Sequence, residues 1–298
     1  MEDKNLMNPF NSNILIGLDN YFNELVNMYN SNAFPKVLLL SGKKGSGKFT
    51  LVIHLLNYIF SKNTYNLNEK SFNPKSPFHN KLSNNISENV IFLKNKENEN
   101  VKIEDIRNLK SLISKHSIND NPRFIILDDV EKYNINSSNA LLKILEEPAK
   151  NNFFILIDNK ENKIIETISS RAIKINIFLN QTQKKTIIQR LLQINEIENV
   201  MDFKYLDISP GLFLEYNRLL NTNNLHVELN FMEKIEKILN LYKKNKDHKL
   251  ISLAINITES HFFCLYQKNV SKAIELNEIK NKIVCSINNF VKFNLNFK

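Results

Sequence analysis

The sequence predicts an α/β protein in which helices cover a parallel sheet and an all-helical part follows. Three observations predict this. Val37-Leu38-Leu39-Leu40 runs into a glycine-rich segment and then an apolar stretch, Leu51 to Phe60, in the order strand, loop, helix. Phe124-Ile125-Ile126-Leu127 and Phe153-Phe154-Ile155-Leu156-Ile157 are short apolar runs that end in carboxylates, Asp128-Asp129 and Asp158. Such runs read as strands buried on both faces that deliver side chains at their carboxyl ends. From Leu225 onward the chain has neither Pro nor Gly.

In chain order, Ile14, Leu15, Leu18, Phe22, Leu25, Val26 and Met28 recur at helical spacing and predict a helix over 11–30. Ser61 to Ser87 is polar, with Pro74 and Pro77, and reads as a loop insertion. Val90-Ile91-Phe92-Leu93 is a strand, and 95–100 a polar turn. Ile103, Ile106, Leu109, Leu112 and Ile113 mark a helix with Glu104 and Asp105 in its first turn, the sign its dipole favours. Asn139 to Leu145 is a helix with a broad apolar stripe, ended by Pro148. Ile173, Ile175 and Ile177 alternate as in a strand. Helices follow over 180–195, from Ser209-Pro210-Gly211, around Phe231 to Tyr242, over 250–265 and over 274–290.

Gly42-Lys43-Lys44-Gly45-Ser46-Gly47-Lys48-Phe49-Thr50 fits the phosphate-binding loop G-x-x-x-x-G-K but lacks Ser or Thr directly after the lysine. Gly42, Gly45 and Gly47 let backbone N–H groups turn towards a phosphate, with Ser46 among them, and the next helix aims its positive end there. Lys48 is placed to neutralise terminal phosphates. The magnesium-ligating hydroxyl is replaced by Phe49. Thr50 sits about 100° further round the helix. An inherited scaffold that binds nothing is the competing interpretation of the loop. Asp128 and Asp129 equally could do no more than cap a strand end.

Asn139-Ala140-Leu141-Leu142-Lys143-Ile144-Leu145-Glu146-Glu147-Pro148, together with Thr167-Ile168-Ser169-Ser170-Arg171, resembles the bacterial clamp-loader subunits. These are AAA+ proteins that place the sliding clamp on primed DNA. The resemblance covers roughly 35–178 by motif and the remainder by helical pattern alone. It implies an AAA+ P-loop domain over 1–178, a helical lid over 179–222 and a helical collar over 223–298. It also implies a degenerate ATP or ADP site at Gly42, Gly45, Ser46, Gly47, Lys48 and Asp128, with no cofactor required. In active relatives an Asp holds magnesium and a Glu orients the attacking water. Asp128 matches the Asp, but Asp129 stands in the Glu position, one methylene short. Asn159 falls where a residue senses the γ-phosphate, Glu131 falls outside the site, and Leu212 and Phe213 replace the lid arginine. With those losses, the resemblance implies the subunit that does not hydrolyse ATP. Arg171, with Ser170 beside it, would then serve as an arginine finger to a neighbour, although Ala172 replaces the usual Cys. A structural alternative has Arg171 paired with a carboxylate such as Glu166. Implied partners are the gamma/tau motor subunits and the delta subunit, with clamp and DNA reached through the complex.

Composition excludes several classes. No run is long enough to span a membrane, and the first residues lack a signal-peptide pattern, which favours a cytoplasmic protein. The two cysteines, Cys264 and Cys285, make neither a disulfide framework nor a metal set, and both read as core residues. The resemblance also implies that relatives commonly carry a four-cysteine zinc module at the place of Ser61 to Ser87. Here Met1 to His261 has no Cys, so no zinc is expected. The net charge of +9 is spread along the chain and signals DNA only weakly. Two rival functions stay open: an ATP-hydrolysing motor subunit of the same complex, and an unrelated P-loop NTPase.

Overall fold

The computed structural model describes residues 8–93, 101–114, 121–201, 208–225 and 229–293. The expected polar turn at 95–100 lies outside them. The chain divides into two compact units, Met1–Leu179 and Asn180–Lys298.

The first unit is built on β1 (Val37–Ser41), β4 (Val90–Leu93), β5 (Arg123–Leu127), β6 (Asn152–Asp158) and β7 (Ile173–Asn176). Their order across the sheet is β4-β5-β6-β1-β7, and every pair is parallel. β1 and β5 are buried along their whole length, as continuous apolar runs require. Parallel strands need crossover helices. These include α2 (Lys48–Phe60), α4 (Ile103–Ser114), α5 (Ile135–Leu145) and the short α6 (Glu166–Ser169), while α1 (Asp19–Asn30) precedes β1. On one face, Leu39, Ile125, Phe154 and Leu156 pack with Ile106, Leu109, Leu141, Ile144, Leu145 and Ile168.

The helix expected over 11–30 begins only at Asp19. Gly17 has φ 73°, which breaks the right-handed run. The preceding backbone pairs elsewhere: Ile14 bridges to Ser71, Leu15 N–H donates to Lys70 O and Phe72 N–H donates to Asn13 O. The segment expected to be a loop, 61–87, is therefore ordered. It forms a hairpin of β2 (Tyr65–Asn66) and β3 (Ser71–Phe72), then α3 (Pro77–Ser83), which Ser76 caps by accepting from His79 N–H. Polar composition hid it because its anchors are few: Tyr65, Phe72, His79 and Leu82 are buried.

Two buried histidines tie these pieces together. His54 on α2 contacts Tyr65 Oη through Nδ1 (3.0 Å) and Ser12 O through Nε2 (2.9 Å). His79 contacts Asn57 Nδ2 (3.2 Å) and Phe10 O (3.0 Å). Burial pushes the His54 pKa down to about 4, against a weaker opposing effect of the Ser12 carbonyl. His79 is lowered by burial too. A depressed histidine pKa stabilises the fold fully above the unfolded value of about 6.5, and this contribution is lost as pH falls towards 4. Between pH 7 and pH 5, His54 is expected to cost about 2 kcal/mol of stability. Urea unfolding at both values checks this, and His54→Gln should flatten the slope.

The second unit holds α7 (Gln181–Ile194), α8 (Pro210–Thr222), α9 (Phe231–Asn245), α10 (His248–Lys268) and α11 (Ala273–Phe293). Capping boxes at Asn180 and Asn230 start α7 and α9. Asn217 is wholly buried and accepts from the N–H groups of Val200 and Met201 while donating to Glu198 O. Phe213 is fully buried here, a packing role for one of the residues at the lid-arginine position. Cys285 is exposed, not core, because Ile287 and Phe290 supply the buried face of α11. Cys264 is half-buried.

Candidate functional site

The carboxyl ends of β1, β5 and β6 converge, so the glycine loop, Asp128-Asp129 and Asp158-Asn159 lie at one edge of the sheet. Open parallel sheets place ligands at that edge, where the strand order reverses around β1. Gly42 donates N–H to Asp158 O (3.1 Å), and Ile177 N–H donates to Ser41 O (2.7 Å). A Cβ on Gly42 would lie 2.7 Å from the Ile177 carbonyl oxygen, so only glycine fits. Gly47 has φ 86°, and its Cβ would lie 2.9 Å from Leu18 Cδ1.

Lys48 is 3% exposed and turned onto its own loop. Its Nζ donates to Gly42 O (2.7 Å) and Lys43 O (2.9 Å), with Ser46 Oγ at 3.5 Å. Burial lowers its pKa to about 8, opposed by Asp128 most and then by Asp158, Glu131 and Asp129. Phe49 lies edge-on to Phe10 (5.8 Å between centroids) and packs against Phe92 (5.7 Å). The residue that displaces the magnesium-ligating hydroxyl is thus part of an aromatic cluster.

The acidic side of the site differs from the expectation. Asp129 has φ 52°, and its carboxylate accepts from Asn159 Nδ2 (2.6 Å) and Lys132 Nζ (3.4 Å). Asp158 accepts from Ser41 Oγ (2.6 Å) and Lys160 N–H (2.9 Å). The residue placed at the γ-phosphate sensor position therefore serves Asp129. Glu131, expected outside the site, is 6% exposed and lies within it: its carboxylate groups with those of Asp129 and Glu161. The one-turn 3-10 helix Val130–Lys132 after β5 folds it back. Burial raises its pKa, opposed more weakly by the backbone of Glu131 and Asn159, and both carboxylate oxygens are buried without a hydrogen-bond partner.

Glu161 pairs with Lys132 (2.5 Å) and with Lys44 of the glycine loop (3.2 Å). Burial alone would raise Glu161, but the two lysines outweigh it and its pKa is lowered. Lys132 is raised: its burial is outweighed by Glu161 and Asp129. Lysines thus partner two of the three grouped carboxylates. Lys44, Lys132 and Glu161 gave no sequence signal, because their roles depend on contacts across the loop and β6.

Ser170 and Arg171 stand apart, at the end of α6. Ser170 Oγ donates to Thr167 O (3.1 Å), and Ser170 N–H to Glu166 O (2.8 Å). Arg171 donates through Nη1 to Thr167 O (3.0 Å) and through Nη2 to Glu146 Oε1 (2.7 Å). The ion-pair partner considered above, Glu166, binds Lys163 instead (3.2 Å). The Arg171 side chain keeps 35% of its surface exposed. Ile168 before it is buried; after it, Ile173 is 58% exposed and anchored by strand pairing with Leu38.

A parallel sheet in this order, with a glycine loop after its central strand and acids after the next strands, defines an AAA+ P-loop domain followed by helices. A family model described as "DNA polymerase III, delta subunit" matches residues 17–181, and the chain belongs to that clamp-loader family. Curated relatives agree. The DNA polymerase III subunit delta' of Buchnera aphidicola subsp. Schizaphis graminum is 26% identical over 91% of this chain and 81% of its own length. The subunit delta' of Bacillus subtilis is 25% identical over 74% of this chain and 62% of its own length. The subunit gamma/tau of Mycoplasma genitalium is 24% identical over 83% of this chain and 42% of its own length.

Proposed function

We propose that this chain is a non-hydrolysing, delta-prime-like subunit of a replicative clamp loader and that it offers Arg171 to the ATP site of a neighbour. The observation that carries the reading is the presentation of Arg171: two acceptors hold its guanidinium at a partly exposed rim. A finger works by meeting charge that develops on another subunit's γ-phosphate, so it must be placed in advance. The chain's own loop supports the rest. Phe49 is absorbed in aromatic packing, Asp129 is engaged by Asn159 and Lys132, and Lys48 is spent on loop carbonyls. Any ATP or ADP would rest on Gly42, Gly45, Ser46, Gly47 and Lys48 beside Asp128, without being required. The reading needs no zinc.

Partners on this reading are gamma/tau-type motor subunits and a delta subunit, with the sliding clamp and primed DNA engaged through the assembly in the cytoplasm. Among the described residues no helix is long and apolar enough to cross a membrane. The isolated chain is expected to show no ATP turnover above about 0.1 per second, well under the usual range for phosphoryl transfer. Phe49→Thr should not create turnover, because Asp129 stays engaged. Hydrolysis by the purified chain would instead support the motor-subunit reading. The finger is tested by reconstituting the complex with Arg171→Ala and measuring hydrolysis and clamp loading. Unchanged rates in an assembled complex would reject it.

A further inference from the structure

The helix that carries the ten-residue family block ends under Arg171. α5 stops at Leu145, and Glu146 is its C-cap, with its N–H donating to Leu142 O. Leu141, Ile144 and Leu145 are buried in the same cluster as Ile168 of α6. The two helix ends are therefore packed into one core; Glu146, directly after α5, and Arg171, two residues after α6, meet at 2.7 Å across 25 positions of sequence. The Glu146 side chain is half exposed and that of Arg171 is 35% exposed. An ion pair this exposed contributes about 0–1 kcal/mol to stability. Stability is thus a weak reason for it.

Orientation is a stronger reason. Free arginine carries about 2 kcal/mol of rotamer entropy. Here Thr167 O takes one terminal nitrogen and Glu146 takes the other, so two of the five N–H donors fix the plane of the guanidinium. Among the described residues no other hydrogen bond takes its remaining donors, and the side chain is 35% exposed. The negative end of α5 beside the guanidinium adds a favourable dipole.

We infer that Glu146 is a positioning residue for Arg171: it holds the guanidinium in the attitude from which it meets the neighbour's γ-phosphate. This rests on the finger reading above. The carboxylate touches neither ATP nor the reacting atoms and acts through the arginine alone. Part of the family block then has a mechanical purpose, since the packing of Leu145 fixes where Glu146 stands.

The test uses the complete reconstituted complex carrying Glu146→Ala, Glu146→Gln, Arg171→Ala, or Glu146→Ala with Arg171→Ala. Misplacement of a catalytic group by an ångström costs up to about 10²-fold. Glu146→Ala is expected to lower kcat for DNA-dependent ATP hydrolysis at the adjoining site by about 10-fold or more, with a smaller change in KM. Glu146→Gln, which keeps an acceptor oxygen, should recover most of the rate. The double variant should be no slower than Arg171→Ala alone. Thermal melting of the Glu146 variants should stay at the parental value. If Arg171→Ala slows hydrolysis while Glu146→Ala does not, the positioning role is overturned and the finger stands. A faster Glu146→Ala complex also overturns it, because the pair would then restrain the finger. If Arg171→Ala itself changes nothing, the finger reading fails and the positioning role with it.

Discussion

On the proposed finger role, replacing Arg171 by alanine is expected to leave this subunit folded and incorporated, yet to slow hydrolysis at the neighbouring ATP site by about 10³- to 10⁵-fold where that site depends wholly on it. The fold is safe because the side chain is only partly buried and its contacts are one ion pair and one carbonyl. The backbone around it is held independently by Ser170, by Ile168 and by the pairing of β7 with β1. The rate effect is large because a guanidinium cancels charge that exists only in the transition state. Other ATP sites would keep their own arginines, so total turnover should fall less than the affected site does. Single-turnover hydrolysis by the reconstituted complex separates the two. Arg171→Lys should rescue poorly, since an ammonium lacks the planar fork that spans Thr167 and Glu146.

The largest stability loss is expected from Phe124→Ala, at about 3–5 kcal/mol. Phe124 is fully buried and stacks on Phe153, its register partner across β5 and β6, at 5.3 Å. Phe34, Phe60 and Tyr29 surround it at 5.9, 6.0 and 6.3 Å. Alanine would leave a cavity walled by rings from α1, α2 and β6 and by the loop before β1, none of which can collapse without moving the sheet. Thermal melting should shift down by about 10 °C for a unit of this size. A loss under about 1 kcal/mol would mean that the neighbouring rings close the gap unaided.

Much of the fold was legible. Continuous apolar runs identified β1, which leads into the glycine loop, and β5 and β6, which end in acid, because strands buried on both faces need no alternation. Asn139–Leu145 was read as a helix, and the structure extends it back to Ile135 because Asn134 caps it there, accepting from Ser137 N–H. Less legible was the stretch 11–18, whose helical periodicity was real but lost to backbone pairing with the hairpin at 65–72. At the site, the glycine loop and Asp128-Asp129 were visible from spacing. Glu131 was not, since its burial depends on a turn that local sequence does not announce.

By itself, the sequence determined the chain order of the five sheet strands, the glycine loop, the replaced hydroxyl at Phe49 and the arginine after Ser170. Those follow from short-range patterns, where neighbouring residues suffice. Tertiary structure alone decided that Lys48 turns onto its own loop and that Asn159 serves Asp129. It also decided that Lys44 and Lys132 meet on Glu161, and that Arg171 meets Glu146 rather than Glu166. Charged side chains on separate loops choose partners only after packing sets their distances, and attraction in a partly solvated site falls off within a few ångströms of that choice.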